Sequence, residues 1–66
     1  VNLFNYFQQN VRITCIDGEE ITGFVETFTP AKDSEEGKDE IGLIKDDSHV
    51  LIGISIDEIS HIEVLN

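Results

Sequence analysis

Residues 11–25, VRITCIDGEEITGFV, constrain the fold more than any other stretch of the chain. Val11, Ile13 and Cys15 alternate with Arg12 and Thr14, which is the period of a strand with one face buried. Asp17-Gly18 then reads as a two-residue hairpin turn, because such turns need positive φ, which glycine adopts freely and aspartate tolerates. The spacing predicts a return strand over residues 20–28, with Ile21 and Val25 on one face and Phe24 and Phe28 on the other. Gly23 falls in the middle of this long strand, where a glycine marks a bulge or a sharp bend. A strand bent in that way can belong to two sheets at once, as small barrels require.

The rest of the chain supplies short strands to pair with this hairpin. Residues 29–40, TPAKDSEEGKDE, break all periodicity with Pro30, Gly37 and closely spaced carboxylates, and read as a solvated loop. IGLIK resumes a strand with Ile41 and Leu43 on one face, DDS makes a turn, and HVLIGI follows with Val50, Ile52 and Ile54 alternating inward. SIDEIS, with Ile56 and Ile59 three apart, suits a single helical turn, and HIEVL closes with Ile62 and Val64 inward. Upstream, Leu3, Phe4 and Phe7 share a helical face between Asn2 as N-cap and Asn10 as stop, so residues 1–10 read as two turns of helix. Its aromatics form a lid on the core. The expected fold is all-β: one domain over residues 1–66, with a short helix over 1–10 and a small, strongly bent, five-stranded antiparallel barrel over 11–66.

Size and charge narrow the function classes. A chain of 66 residues buries only about 60% of the surface its unfolded form exposes, so its core is thin. Cys15 is the sole cysteine, so no disulfide forms within the chain, and a reducing, cytoplasmic location is expected. The opening residues carry no Lys or Arg ahead of their apolar groups and do not read as a secretory signal. The longest apolar run, residues 50–54, is far too short to span a membrane. Fourteen acidic residues against four basic ones give a net charge of −10, which repels nucleic acid and anionic lipid at long range. Solubility is the ordinary use of such a charge.

The helix, then VRITCIDGEEITGFVETF, a variable loop, and VLIGISIDEISHIEVL, together resemble the Sm-like family across nearly the whole chain, through apolar spacing plus Gly18 and Gly23. The resemblance implies a bent five-stranded barrel and rings of about six or seven copies that bind single-stranded, often uridine-rich, RNA. The family's base-binding residues are an Asp, an apolar residue and an Asn after strand two, and an Arg-Gly pair after strand four. At those places this chain has Thr29 for the Asp, Lys32 for the apolar residue, Asp33 for the Asn, and Gly53 without an arginine. The base-stacking platform and the bidentate donor are both missing. Stacking is worth about 1–3 kcal/mol per base, so the pattern of the fold is kept while the uridine pocket is not.

Catalytic groups are sparse. His49 and His61 each begin an expected strand, and Ser34, Ser48, Ser55 and Ser60 have no base beside them in the sequence. Cys15 alternates inward and reads as an inert thiol. Asp57 and Glu58 sit on a tight turn, where carboxylates cap backbone amides. Asp33, Glu35 and Asp39 alternate as in a calcium loop, but Gly37 comes one place early and no helices flank them, so no dedicated metal site, cofactor or small-molecule substrate is expected. The two last strands carry almost no charge to guard their edges: HVLIGI has none and HIEVL only Glu63. His49, Leu51 and Gly53 on one edge, and His61, Glu63 and Leu65 on the other, are the candidate contacts of a head-to-tail homo-oligomer. The expected role is a non-catalytic oligomerising module that binds or scaffolds protein. Its alternatives are RNA bound by backbone groups with Arg12, Lys32 and Lys38, and an acidic mimic of nucleic acid that binds a basic protein.

Overall fold

The computed structural model describes residues 2–65. The first strand, β1 (Asn10–Cys15), pairs antiparallel with β2 (Glu20–Thr29), and the chain reverses through Ile16, Asp17 and Gly18, with Cys15 and Glu19 as the closing pair. Gly18 N–H donates to Cys15 O (2.9 Å) and Cys15 N–H to Glu19 O (2.8 Å), while only Gly18 has positive φ (93°). This is a type I turn closed by a left-handed glycine, the usual three-residue hairpin. The expected two-residue turn is corrected accordingly: Ile16 joins the loop and Asp17 keeps an ordinary φ. Asp17 Oδ1 instead accepts from Glu19 N–H (3.0 Å).

Three further strands, β3 (Glu40–Lys45), β4 (Leu51–Ser55) and β5 (Ile59–Val64), complete one antiparallel sheet in the order β4-β3-β2-β1-β5. Its concave face holds the core: Leu3, Val11, Ile13, Val25, Ile41, Leu43, Ile54 and Ile62 are all buried. The radius of gyration, 10.8 Å, is that of a compactly folded chain of this length. Two features of β2 produce the curl. At Gly23 the backbone of β3 crosses so close that an added Cβ would overlap the carbonyl of Ile44. Three residues on, the register with β3 slips between Val25 and Thr27, leaving Glu26 as an extra residue. Such a bulge bends and twists its strand. It also moves Phe28 onto the concave face opposite Ile41, where it packs on the core, so Phe24 and Phe28 do not share a face as expected.

The N-terminal segment differs from expectation as well. Leu3–Tyr6 form one 3-10 turn, not two turns of α-helix, and Asn10 already belongs to β1. Asn2 does cap it, accepting from Phe4 N–H (3.1 Å). The turn ends where Gln8, with φ 61°, swings the chain back so that Gln8 N–H reaches Val25 O and Val25 N–H reaches Gln9 O. Leu3 enters the core. Phe4 stays largely exposed, stacked on Phe7 (5.9 Å) and edge-on to Phe28 (5.4 Å). At the other end, Ile56–Glu58 form the expected single turn between β4 and β5, closed by a capping box in which Glu58 Oε1 accepts from Ser55 N–H (3.0 Å).

Candidate assembly interface

β4 and β5 are the two edges of the sheet, and neither pairs with the other. In an antiparallel ladder successive residues point their backbone groups alternately to either side. Lys45 N–H donates to Val50 O (3.0 Å) and Ile56 N–H to Asp39 O (2.9 Å), so Val50, Ile52, Ile54 and Ile56 face β3. The N–H and C=O of Leu51 and Gly53 therefore point away from the sheet. Ser55 shares that direction, but its N–H is occupied by Glu58. On the other edge Leu65 N–H donates to Asn10 O (2.8 Å), so His61, Glu63 and Leu65 turn their backbone groups to β1. Ile62 and Val64 are then the residues whose backbone groups face outward.

The expected edge is thus half corrected. Leu51 and Gly53 are edge residues in both senses. His61, Glu63 and Leu65 lie on the β5 edge strand or just past its end, but only their side chains face outward. His49 is not in a strand: it sits in the turn with φ 57°, its N–H bound to Lys45 O (2.8 Å). The side chains beside the free backbone groups are apolar and open to solvent: Val50 is 52% exposed, Leu51 54%, Val64 45% and Leu65 41%. Val50 and Val64 were expected to point into the core. Val50 precedes β4, and Val64, although on the same face as Ile62, is the last residue of β5.

A cavity of about 370 Å³ lies between β4 and the first hairpin, floored by Ile21, Ile52 and Ile54 and rimmed by Asp17, Glu19 and Glu58. Cys15 and Ile16 line it too, so Cys15 is half-buried and not sealed inside. Its thiol is pushed above the ordinary range by partial burial first, and then by Asp17, Glu19 and Glu58. It stays protonated at neutral pH, which makes it a poor nucleophile.

The positions implied by the RNA resemblance come together only in part. Thr29, the last residue of β2, and Gly53 both line a shallower depression of about 230 Å³ on the convex face, around the facing pair Gly42 and Gly53. Lys32 and Asp33 lie outside it, on the exposed 3-10 turn Ala31–Asp33. Of the other cations, Arg12 is held by Glu63 (2.8 Å) and Lys38 by Asp57 (2.6 Å). Two carboxylates at the end of the loop are also occupied: Asp39 Oδ1 accepts from Ala31 N–H (2.8 Å), and Glu40, at the start of β3, from the Ser34 hydroxyl. Among the described residues no three metal-binding side chains converge. The Ser55 hydroxyl lies 2.5 Å from Asp57 and 2.9 Å from Glu58 within the cap of the β4–β5 corner, with no histidine beside it.

Among the described residues no helix is long and apolar enough to cross a membrane. Fold and edges define a small all-β protein whose sheet has two open edge strands. No protein-family model, curated protein or solved structure matches the chain.

Proposed function

We propose that this chain is a non-catalytic, Sm-like oligomerising module that joins copies of itself through β4 and β5 and presents the assembly to a protein ligand. The observation that carries the reading is the pair of unguarded edges. Each offers two residues with outward backbone groups, and each places two exposed apolar side chains beside them. An exposed edge of this kind is normally blocked by Lys, Pro or a bulge; β4 has none of these, and the one register slip of β5, opposite Thr14 and Cys15, lies at its start, ahead of Ile62 and Val64. Two different edges that meet head to tail generate a ring when the rotation closes. The strand order and the glycine-bent second strand support the Sm-like part of the reading.

Light scattering coupled to size exclusion tests it, with about five to seven copies expected, a range taken from the resemblance to the Sm-like family; head-to-tail contacts close into rings when the rotation suits. A monomer at every concentration would end the proposal. Leu51→Lys is the matching probe, because Leu51 lies outside the core and the change leaves folding intact while placing a charge in the contact. The variant is expected to run as a folded monomer.

RNA remains the second reading, supported by the convex depression that holds Thr29 and Gly53. Against it stand the paired states of Arg12 and Lys38 and the net charge of −10.

A further inference from the structure

We propose that the cavity between β4 and the first hairpin takes an arginine side chain from a protein partner. The proposal rests on the reading above only in taking the ligand to be a protein, and it holds for one copy or for a ring.

The walls of the cavity match the two halves of such a side chain. Its floor is aliphatic, from Ile21, Ile52 and Ile54, and its volume of about 370 Å³ is that of about a dozen water molecules at roughly 30 Å³ each. Three exposed carboxylates, Asp17, Glu19 and Glu58, form its rim. They come from two elements, the hairpin loop and the turn Ile56–Glu58, which Ile16 N–H ties together by donating to Glu58 O (3.0 Å). The Cys15 thiol in the wall senses all three at one point: after partial burial, it is raised by Asp17, Glu19 and Glu58.

Nothing within the chain answers these charges. Neither ion pair among the described residues uses them. Asp17 engages one oxygen with Glu19 N–H, and Glu58 engages one with Ser55. The second oxygen of each, and the whole Glu19 carboxylate, have no hydrogen-bond partner among the described residues. No basic side chain lines the cavity. Arg12 and Lys38 are committed to Glu63 and Asp57, Lys32 stands on the 31–33 turn, and Lys45 lines a separate depression.

An aliphatic floor under an anionic rim suits a ligand that is apolar along its stem and cationic at its tip. Lysine and arginine side chains both have that form. Arginine fits this rim better. Its planar guanidinium has five donors, enough to meet carboxylates on both elements, and it is more weakly hydrated than an ammonium. The net charge of −10 draws a basic partner towards the surface before contact.

Capped arginine, titrated into isotope-labelled protein and followed by NMR, reads the site residue by residue. Saturable shifts centred on the amides of Ile16, Glu19, Gly53 and Ile54 are expected. Glu19→Gln, which removes no hydrogen bond of the fold, is expected to weaken binding by roughly two- to fivefold, the worth of a solvent-accessible ion pair. Glu35→Gln, in the 29–40 loop, is the control that leaves binding unchanged. Capped citrulline, the neutral isostere, is expected to move none of these amides, and capped lysine to bind more weakly. Shifts that fail to saturate, that spread equally over the other surface carboxylates, or that citrulline or lysine reproduces in full overturn the proposal. Light scattering on the same sample reports the assembly separately. A monomer that takes arginine keeps the cavity and loses the ring, whereas an oligomer that ignores it loses the cavity alone.

Discussion

Gly23 and Gly53 are strand glycines in opposite surroundings. At Gly23 a Cβ would run into the carbonyl of Ile44 and the Leu43 side chain, so the absent atom is what lets β3 cross over β2. At Gly53 nothing lies within 4 Å of the place a Cβ would take, so the position is open. Backbone clashes cannot be relieved by turning a side chain. Gly23→Ala is therefore expected to destabilise by on the order of 1–3 kcal/mol, as overpacking does, a serious loss for a domain with about 5–15 kcal/mol in all. Urea denaturation measures it, with Gly53→Ala as the tolerated control. Equal midpoints for Gly23→Ala and the parent would mean that β3 does not pass there. A structural need for glycine at 23 was legible from its place in a long apolar strand. Its cause was not, because the close approach comes from a strand some twenty residues downstream.

At the scale of elements, the sequence was legible wherever burial alternates and opaque wherever the main chain decides. Alternation located all five strands, and Ile56–Glu58 followed from an apolar spacing of three with two carboxylates between. The bulge at Glu26 left no compositional trace, and with it went the face of Phe28. Leu3 and Phe7 suit an α-helix and a 3-10 turn about equally well. Only the reversal at Gln8 distinguishes them. The edge itself was half legible: unguarded composition marked β4 and β5, but which backbone groups point outward depends on the registers with β3 and β1.

The β4–β5 corner carries a testable charge linkage. Asp57 is held below its ordinary value, first by the hydrogen bond from Lys38 and then by that from Ser55, while Lys38 is raised by the same bond. The carboxylate's contribution is thus complete above its ordinary 3.8 and lost as pH falls through the depressed value. The contribution of Lys38 is complete below its ordinary 10.5 and lost as pH rises through the raised one. Both groups are solvent-exposed, so the effect is small. Lys38→Met is expected to lower stability slightly at neutral pH and to shrink the loss of stability between about pH 5 and about pH 2. Denaturation midpoints at the two pH values decide it: a parent and variant that lose equal stability on acidification would show that the tie does not hold the corner.

For the whole molecule the governing quantity is the net charge of −10, which an assembly multiplies by its copy number. Any polyanion brought to that surface meets a repulsive field, and its binding must come from local donors strong enough to overcome it. Arg12 and Lys38 are committed to Glu63 and Asp57, and Lys32 stands on an exposed turn beside Asp33. Labelled oligo-uridine is therefore expected to show no binding at physiological salt, up to high micromolar protein. The response to salt separates the mechanisms. Added salt screens a repelled ligand and helps it approach, whereas binding through phosphate contacts weakens as salt rises. Fluorescence anisotropy across a salt series measures both. Submicromolar binding that weakens with salt and is lost in Lys32→Glu would make RNA the ligand, because only an attractive contact at that turn could produce both effects together.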